Sequence, residues 1–160
     1  MLSVTVIAVG KIKEKFYAAA VEEYAKRLSA YCKFGVVEVK DEKTPDNPTD
    51  VEKAAVLSRE GQRIAEKIPK GAKVIALCVE GKEMTSEGFA NLLEKSALEG
   101  DSKLVFIIGG SMGLAQEIKD MASVKLSFSQ MTFPHMLMRV ILVEQIYRAF
   151  TIIEGKTYHK

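Results

Sequence analysis

The chain has no tryptophan, two cysteines, two histidines and four prolines in 160 residues, and each scarcity removes a class of protein. Cys32 and Cys78 form no CxxC pair, so neither a disulfide scaffold nor a zinc knuckle is written here; Cys78, inside the apolar run "KVIALCV", reads as a buried free thiol. His135 and His159 lie at no ligand spacing with either cysteine, and no metal is expected. The longest apolar runs, "KVIALCV" and "KLVFIIGG", are strand-sized and too short to cross a bilayer. The opening "MLSVTVIAVGK" lacks the basic start and small-residue cleavage site of a secretory signal, so the expectation is a cytoplasmic location with no membrane partner. Charge of one sign is also lacking. Against 23 basic residues stand 21 acidic ones, and a net +2 does not by itself announce a nucleic-acid binder. Between Lys11 and Lys33, however, six basic residues face three acids, and this segment either meets phosphates or is a solvated helix face.

What is present reads as one domain, residues 1–160, with no repeat and no low-complexity tract. Five apolar runs rich in β-branched residues predict strands at Val4–Val9, Phe34–Val39, Lys73–Val79, Lys103–Ile108 and Val124–Phe128. Helical patterns separate them. Lys13–Ala30 places Phe16, Ala20, Tyr24 and Leu28 on one stripe, and "TDVEKAAVLSREGQRIAEKI" opens with Thr49 and Glu52 at capping-box spacing. Further helices are predicted over Ser86–Leu98 and Leu114–Met121, and a last one after Pro134. Alternating strands and helices specify an α/β fold, a mainly parallel sheet with helices on both faces. The turn-rich "DEKTPDNPTD" is a surface loop. Ligands of such sheets collect beyond the carboxyl ends of the strands, which directs attention to "CVEGKEM", "GGSMG" and "SFSQMTFP".

The glycine loop admits two readings. Gly109, Gly110 and Gly113 let a backbone approach a ligand closely, although neither GxGxxG nor GxxxxGK[ST] is present. Alternatively, Gly109-Gly110-Ser111-Met112-Gly113 matches G-x-S-x-G, the nucleophile elbow of serine hydrolases, with Asp120 and then His135 or His159 in triad order. Against the second, little chain follows Ser111 for two more triad loops.

The last helix poses a different problem. His135, Arg139, Glu144 and Arg148 sit among Met, Leu, Val and Ile residues that leave no broad wet face, so the helix must be covered on several sides, and a second copy of the chain is the natural cover. Pro134 suits a first helical turn, with Thr132 as a local cap. Glu144 and Arg148 stand in the Glu-first i,i+4 order that favours an ion pair. The loop Ser127–Phe133 either binds a nucleoside or satisfies itself as a turn. After Gly155, the tail Lys156, Tyr158, His159 and Lys160 is either a frayed end or an aromatic and cationic group suited to an unstacked base.

Taken together, "AVGKIKEKFY", "EGQRIA", "FIIGGSMGL", "LSFSQMTFPHMLMRVILVEQIYRAF" and "TYHK" resemble the ribosomal RNA large-subunit methyltransferase H (RlmH) family of the SPOUT class, over essentially the whole chain. The resemblance implies a SPOUT fold with a C-terminal trefoil knot and S-adenosylmethionine as methyl donor without a metal. It implies methylation of N3 of a pseudouridine in 23S ribosomal RNA on assembled ribosomes. The partners it implies are a second copy in a homodimer and the ribosome, not DNA. Carried over by motif, Leu77, Gly109 and the loop Phe128, Ser129, Gln130, Met131, Thr132 and Phe133 would line the donor pocket. Glu144, Arg148, Tyr158 and His159 would be the catalytic residues, with the tail completing a site shared across the dimer. A serine hydrolase using Ser111, or a noncatalytic ribosome-binding module, are the alternatives.

Overall fold

The computed structural model describes residues 1–160. Five strands, β1 (Ser3–Val9), β2 (Lys33–Val39), β3 (Lys73–Glu83), β4 (Lys103–Ile108) and β5 (Val124–Ser127), alternate with five helices, α1 (Lys15–Leu28), α2 (Asp50–Lys67), α3 (Ser86–Leu98), α4 (Gln116–Met121) and α5 (His135–Ile153). The sheet runs β2-β1-β4-β3-β5 with every neighbouring pair parallel. All strands therefore end at one rim.

The period-2 alternation of the strands divides the apolar residues between two cores. Val4, Val6, Ala8, Phe106 and Ile108 point to one face, where they meet Phe89 and Leu93 of α3 and Leu142, Val143 and Ile146 of α5. Ile7, Val9, Val105 and Ile107 point to the other, against Ile64 of α2 and Ile118 of α4. The central strands are thus buried on both sides, as parallel sheets require. The α2 start bears the capping box read from sequence: Glu52 N donates to Thr49 Oγ1, and Thr49 N to Glu52 Oε1, each at 3.1 Å.

Three elements differ from the sequence expectation. β3 continues to Glu83 instead of ending at Val79, because its register against β5 slips: Leu126 lies opposite both Leu77 and Lys82. The intervening Cys78–Gly81 bulge outward, and at Gly81 a side chain would meet the Lys125 backbone at 2.8 Å, which makes glycine obligatory for this close crossing. On α1 the stripe is carried by Val21, Tyr24 and Leu28, while Phe16 is 67% exposed, its ring beside that of its neighbour Tyr17. Finally, Pro134 itself occupies the cap position of α5, and no side chain caps that helix, Thr132 included.

α5 has no fully exposed residue from His135 to Ile153. Its buried stripe, Leu142, Val143, Ile146 and Ala149, faces the sheet, while Leu137, Val140 and Ile141 stay half-buried at its flank. One turn after the start lies Arg139, 1% exposed.

Candidate functional site

The bulge after Leu77, the glycine turn after β4 and the loop after β5 enclose a cleft of about 620 Å³ at the carboxyl rim, closed at its end by Pro134, His135 and Met138 of the α5 start. That size is ordinary for a small-ligand site. Local chemistry explains each wall. Gly113 adopts φ 84° and donates its amide to Gly110 O at 3.1 Å, folding residues 110–113 into a tight turn. Gly109 is pressed so closely against that turn that a Cβ on it would lie 2.2 Å from Gly113 O. Beneath the turn, the buried Glu60 carboxylate accepts the Glu42 amide at 2.9 Å, and burial raises its proton affinity. On the opposite wall, Lys119 of α4 bridges to Glu80 of the bulge at 2.5 Å. The loop after β5 bonds within itself: Ser127 Oγ donates to Ser129 O and Met131 N to Ser129 Oγ, both at 3.0 Å.

Of the eight residues read as donor-binding, Leu77, Gly109, Phe128, Ser129, Met131, Thr132 and Phe133 line this cleft. Gln130 does not; it is exposed at the loop tip. Ser111 borders the cleft without the features of an elbow. Asn47 is the only non-glycine residue with positive φ, so Ser111 carries no elbow strain. Asp120 accepts from Gln116, and His159 is engaged elsewhere.

The four residues read as catalytic come together in a second place. Arg148 donates to Glu144 Oε1 through Nε at 2.9 Å and Nη2 at 2.6 Å, and its guanidinium lies 4.8 Å from the centre of the Tyr158 ring. Tyr158 donates to Glu144 Oε1 at 3.1 Å. His159 lies between Arg148 Nη1, 3.0 Å from its Nδ1, and Glu87 Oε1, 2.8 Å from its Nε2. An arginine can only donate, so Nδ1 accepts and the neutral ring carries its hydrogen on Nε2, directed at Glu87. Burial, with Tyr24 and Glu144 alongside, pushes the Tyr158 phenol well above its ordinary value, which keeps it a donor. None of the four lines the cleft of its own chain. Along α5, Glu144 is roughly 9 Å and Arg148 roughly 15 Å beyond Met138.

Two residues at the rim escaped the sequence reading as partners. Arg139 Nη1 meets Glu38 Oε2 at 2.5 Å, and its Nη2 donates to Gly10 O at 3.0 Å and Val9 O at 3.4 Å. Glu87 was equally silent. Only the folded order of strands brings either carboxylate to its basic partner.

Burial, then Arg139 one turn on, holds the His135 imidazole below its ordinary value. The unfolded chain therefore takes up this proton first as pH falls below about 6.5. The stability contributed by neutral His135 is full above that pH and is lost as pH drops towards the folded value. Glu60, with its raised value, acts in the opposite sense, losing stability as pH rises through its folded value. Thermal melts between about pH 7.5 and 5 are expected to show a smaller acid-side loss for His135→Gln than for the parent chain.

A family model described as "Predicted SPOUT methyltransferase" matches residues 2–159. The chain belongs to that family. Two Clostridium botulinum proteins, from strains Kyoto / Type A2 and Langeland / NCTC 10281 / Type F, each named "Ribosomal RNA large subunit methyltransferase H", are 52% identical to it over 99% of this chain and 100% of theirs. A Methanococcus maripaludis protein matches to the same extent. The all-parallel five-stranded α/β architecture fits the SPOUT assignment, and within the family the matches point to the RlmH branch.

Proposed function

We propose that this SPOUT protein transfers the methyl group of S-adenosylmethionine to N3 of a pseudouridine in 23S ribosomal RNA, on assembled ribosomes and as a homodimer. The observation that carries the reading is the rim cleft walled by the Gly109–Gly113 turn and the Phe128–Phe133 loop, in a chain matching the named relatives over their full length. The donor fits the lining chemically: Leu77, Phe128 and Phe133 offer apolar surface, the Gly109 backbone allows close approach, and Ser129 and Thr132 supply polar groups. When bound, the donor supplies an electrophilic methyl group on a sulfonium.

The chain's own residues then hold the base and move one proton. N3 would gain the methyl carbon as the sulfonium–methyl bond breaks, leaving the donor a neutral thioether, while the N3 proton leaves; the negative charge developing on the adjacent carbonyl is stabilised by Arg148. Once Arg148 turns to that carbonyl, His159 Nδ1 is freed from it and accepts the N3 proton, passing it to water. Tyr158 stays protonated and stacks on or donates to the base, while Glu144 orients both Arg148 and Tyr158. Because this quartet lies away from its own cleft, it serves the cleft of a second copy, and the half-buried Leu137, Val140 and Ile141 flank of α5 is the surface such a copy would cover.

The test is transfer of a labelled methyl group to ribosomes lacking the modification, followed by nucleoside mass analysis. Label is expected in N3-methylpseudouridine, with His159→Ala slowing transfer by about 10²-fold or more while donor binding by calorimetry is preserved. Ribosome binding without label, or label in another nucleoside, would overturn the reading.

A further inference from the structure

The basic stretch between Lys11 and Lys33 is split by the fold. Lys33 starts β2 at the rim away from the cleft, and Lys26, in the last turn of α1, lies towards that end. Lys11 and Lys13, in the segment joining β1 to α1, and Lys15, the first residue of α1, remain at the cleft rim, and all three are exposed.

That segment is unusually well fixed for a surface loop. Gly10, at φ 92°, turns the chain out of β1 while its amide donates to Val39 O at 2.8 Å. Glu38 Oε2 accepts both the Ile12 amide at 3.2 Å and the Arg139 guanidinium, which also holds the Gly10 carbonyl. A Cβ at Gly10 would lie 3.4 Å from Met136 Cε, so the loop rests on the first turn of α5, beside His135 and Met138 of the cleft. One buried side chain thus fastens the lysine-bearing loop to the helix that closes the cleft.

Nearby carboxylates are mostly taken. Glu38 serves Arg139, and Glu42 serves Arg59 and Arg63. Glu14 and Asp41 remain, both near enough to His135 to favour its protonated form. The three lysines enter no ion pair, and a lysine with no carboxylate partner on a fixed loop is a ready contact for a phosphate, with little ordering left to do on binding.

We propose that Lys11, Lys13 and Lys15 form a phosphate-docking element for the ribosomal RNA backbone at the mouth of the cleft, preorganised by the Arg139–Glu38 clamp. It rests on the ribosomal RNA reading above and adds to it the surface that grips the substrate. The rim location gives the grip its purpose: a backbone held there leaves its neighbouring base within reach of the cleft.

The test compares Lys11→Glu/Lys13→Glu/Lys15→Glu with Lys33→Glu/Lys70→Glu/Lys103→Glu, an equal charge change at exposed positions of the opposite rim. Ribosome affinity is measured from about 50 to about 200 mM salt, and donor affinity by calorimetry. The rim triple is expected to lose at least about tenfold in ribosome affinity, and its log–log salt slope to flatten by about 2, near 0.7 per lost phosphate contact. Donor affinity and the opposite-rim triple should stay within about twofold of the parent. Lys13→Gln, too mild to unfold the chain, should flatten the slope by about 0.7. An unchanged slope in the rim triple, or equal losses in both triples, overturns the docking element. If the parent methylates ribosomes normally in that case, the enzymatic reading stands without it; if the rim triple loses its grip but the parent transfers no methyl group, docking stands and the enzymatic reading falls.

Discussion

Gly109→Ala is expected to reduce S-adenosylmethionine affinity by at least about 100-fold, the largest loss of any single methyl addition to the chain. The added Cβ would lie 2.2 Å from Gly113 O and 2.5 Å from Gly113 C. Both are backbone atoms, so no rotamer change relieves the overlap. Either the Gly110–Gly113 turn opens or β4 withdraws, and Leu114 and Ala115, buried immediately beyond the turn, oppose the first. Overpacking of this kind costs about 1–3 kcal/mol, so the variant should still fold with a lowered melting temperature while its cleft is misshapen. Gly35→Ala is the control: nothing lies within 4 Å of its would-be Cβ on the outer strand β2. Calorimetry with the donor, beside circular dichroism melts, checks both. Parental affinity in Gly109→Ala would remove the glycine turn from the donor site.

The second large effect concerns the clamp, where the two partners should behave unequally. Arg139 is 1% exposed, whereas the Glu38 side chain keeps 37% of its surface in water. Removing Arg139 returns a carboxylate to solvent. Removing Glu38 strands a guanidinium whose charged form burial already disfavours and whose Nε has no partner even in the intact protein. Breaking a buried pair from the side that leaves the charge inside costs about 3–5 kcal/mol. At about 2–4 °C per kcal/mol for a chain of this length, Glu38→Ala should melt about 6–20 °C lower. Arg139→Met, similar in volume and uncharged, should lose about half as much or less. Thermal melts of the two single variants and the double variant decide the matter, and an equal or reversed ranking would mean that the pair is wetter than its geometry implies.

Sequence made some of this legible and hid the rest for identifiable reasons. Local signals carried well: the Thr49–Glu52 box, the i,i+4 order of Glu144 and Arg148, and the β-branched runs all depend on residues within one turn or one strand of each other. The oily last helix was readable as a problem, and part of its answer is the Glu38 carboxylate, 101 residues distant in the chain. Nothing in periodicity encodes such a meeting, since it follows from β1 and β2 being neighbours at the sheet edge. The β3 slip was hidden because "KVIALCV" keeps its apolar character through the point where the register changes. Phe16 misled in the other direction: helical spacing put it on a stripe with Tyr24 and Leu28, but in the first turn of α1 its ring is left largely in water. The grouping of Leu77, Gly109 and Phe128–Phe133 needed only the rule that parallel strands gather their following segments at one rim; the distance of Glu144 and Arg148 from that grouping needed the helix in place.

The same arrangement of strand ends gives the two chain ends very different surroundings. Met1 precedes β1 and is exposed at the edge remote from the cleft, so an affinity tag or immobilising anchor attached there leaves the cleft untouched. Lys160 immediately follows His159, whose ring is clasped by Arg148 and Glu87. A carboxy-terminal tag would therefore lengthen the segment that must lie down on α5, and a purified sample carrying one reports on a hindered molecule.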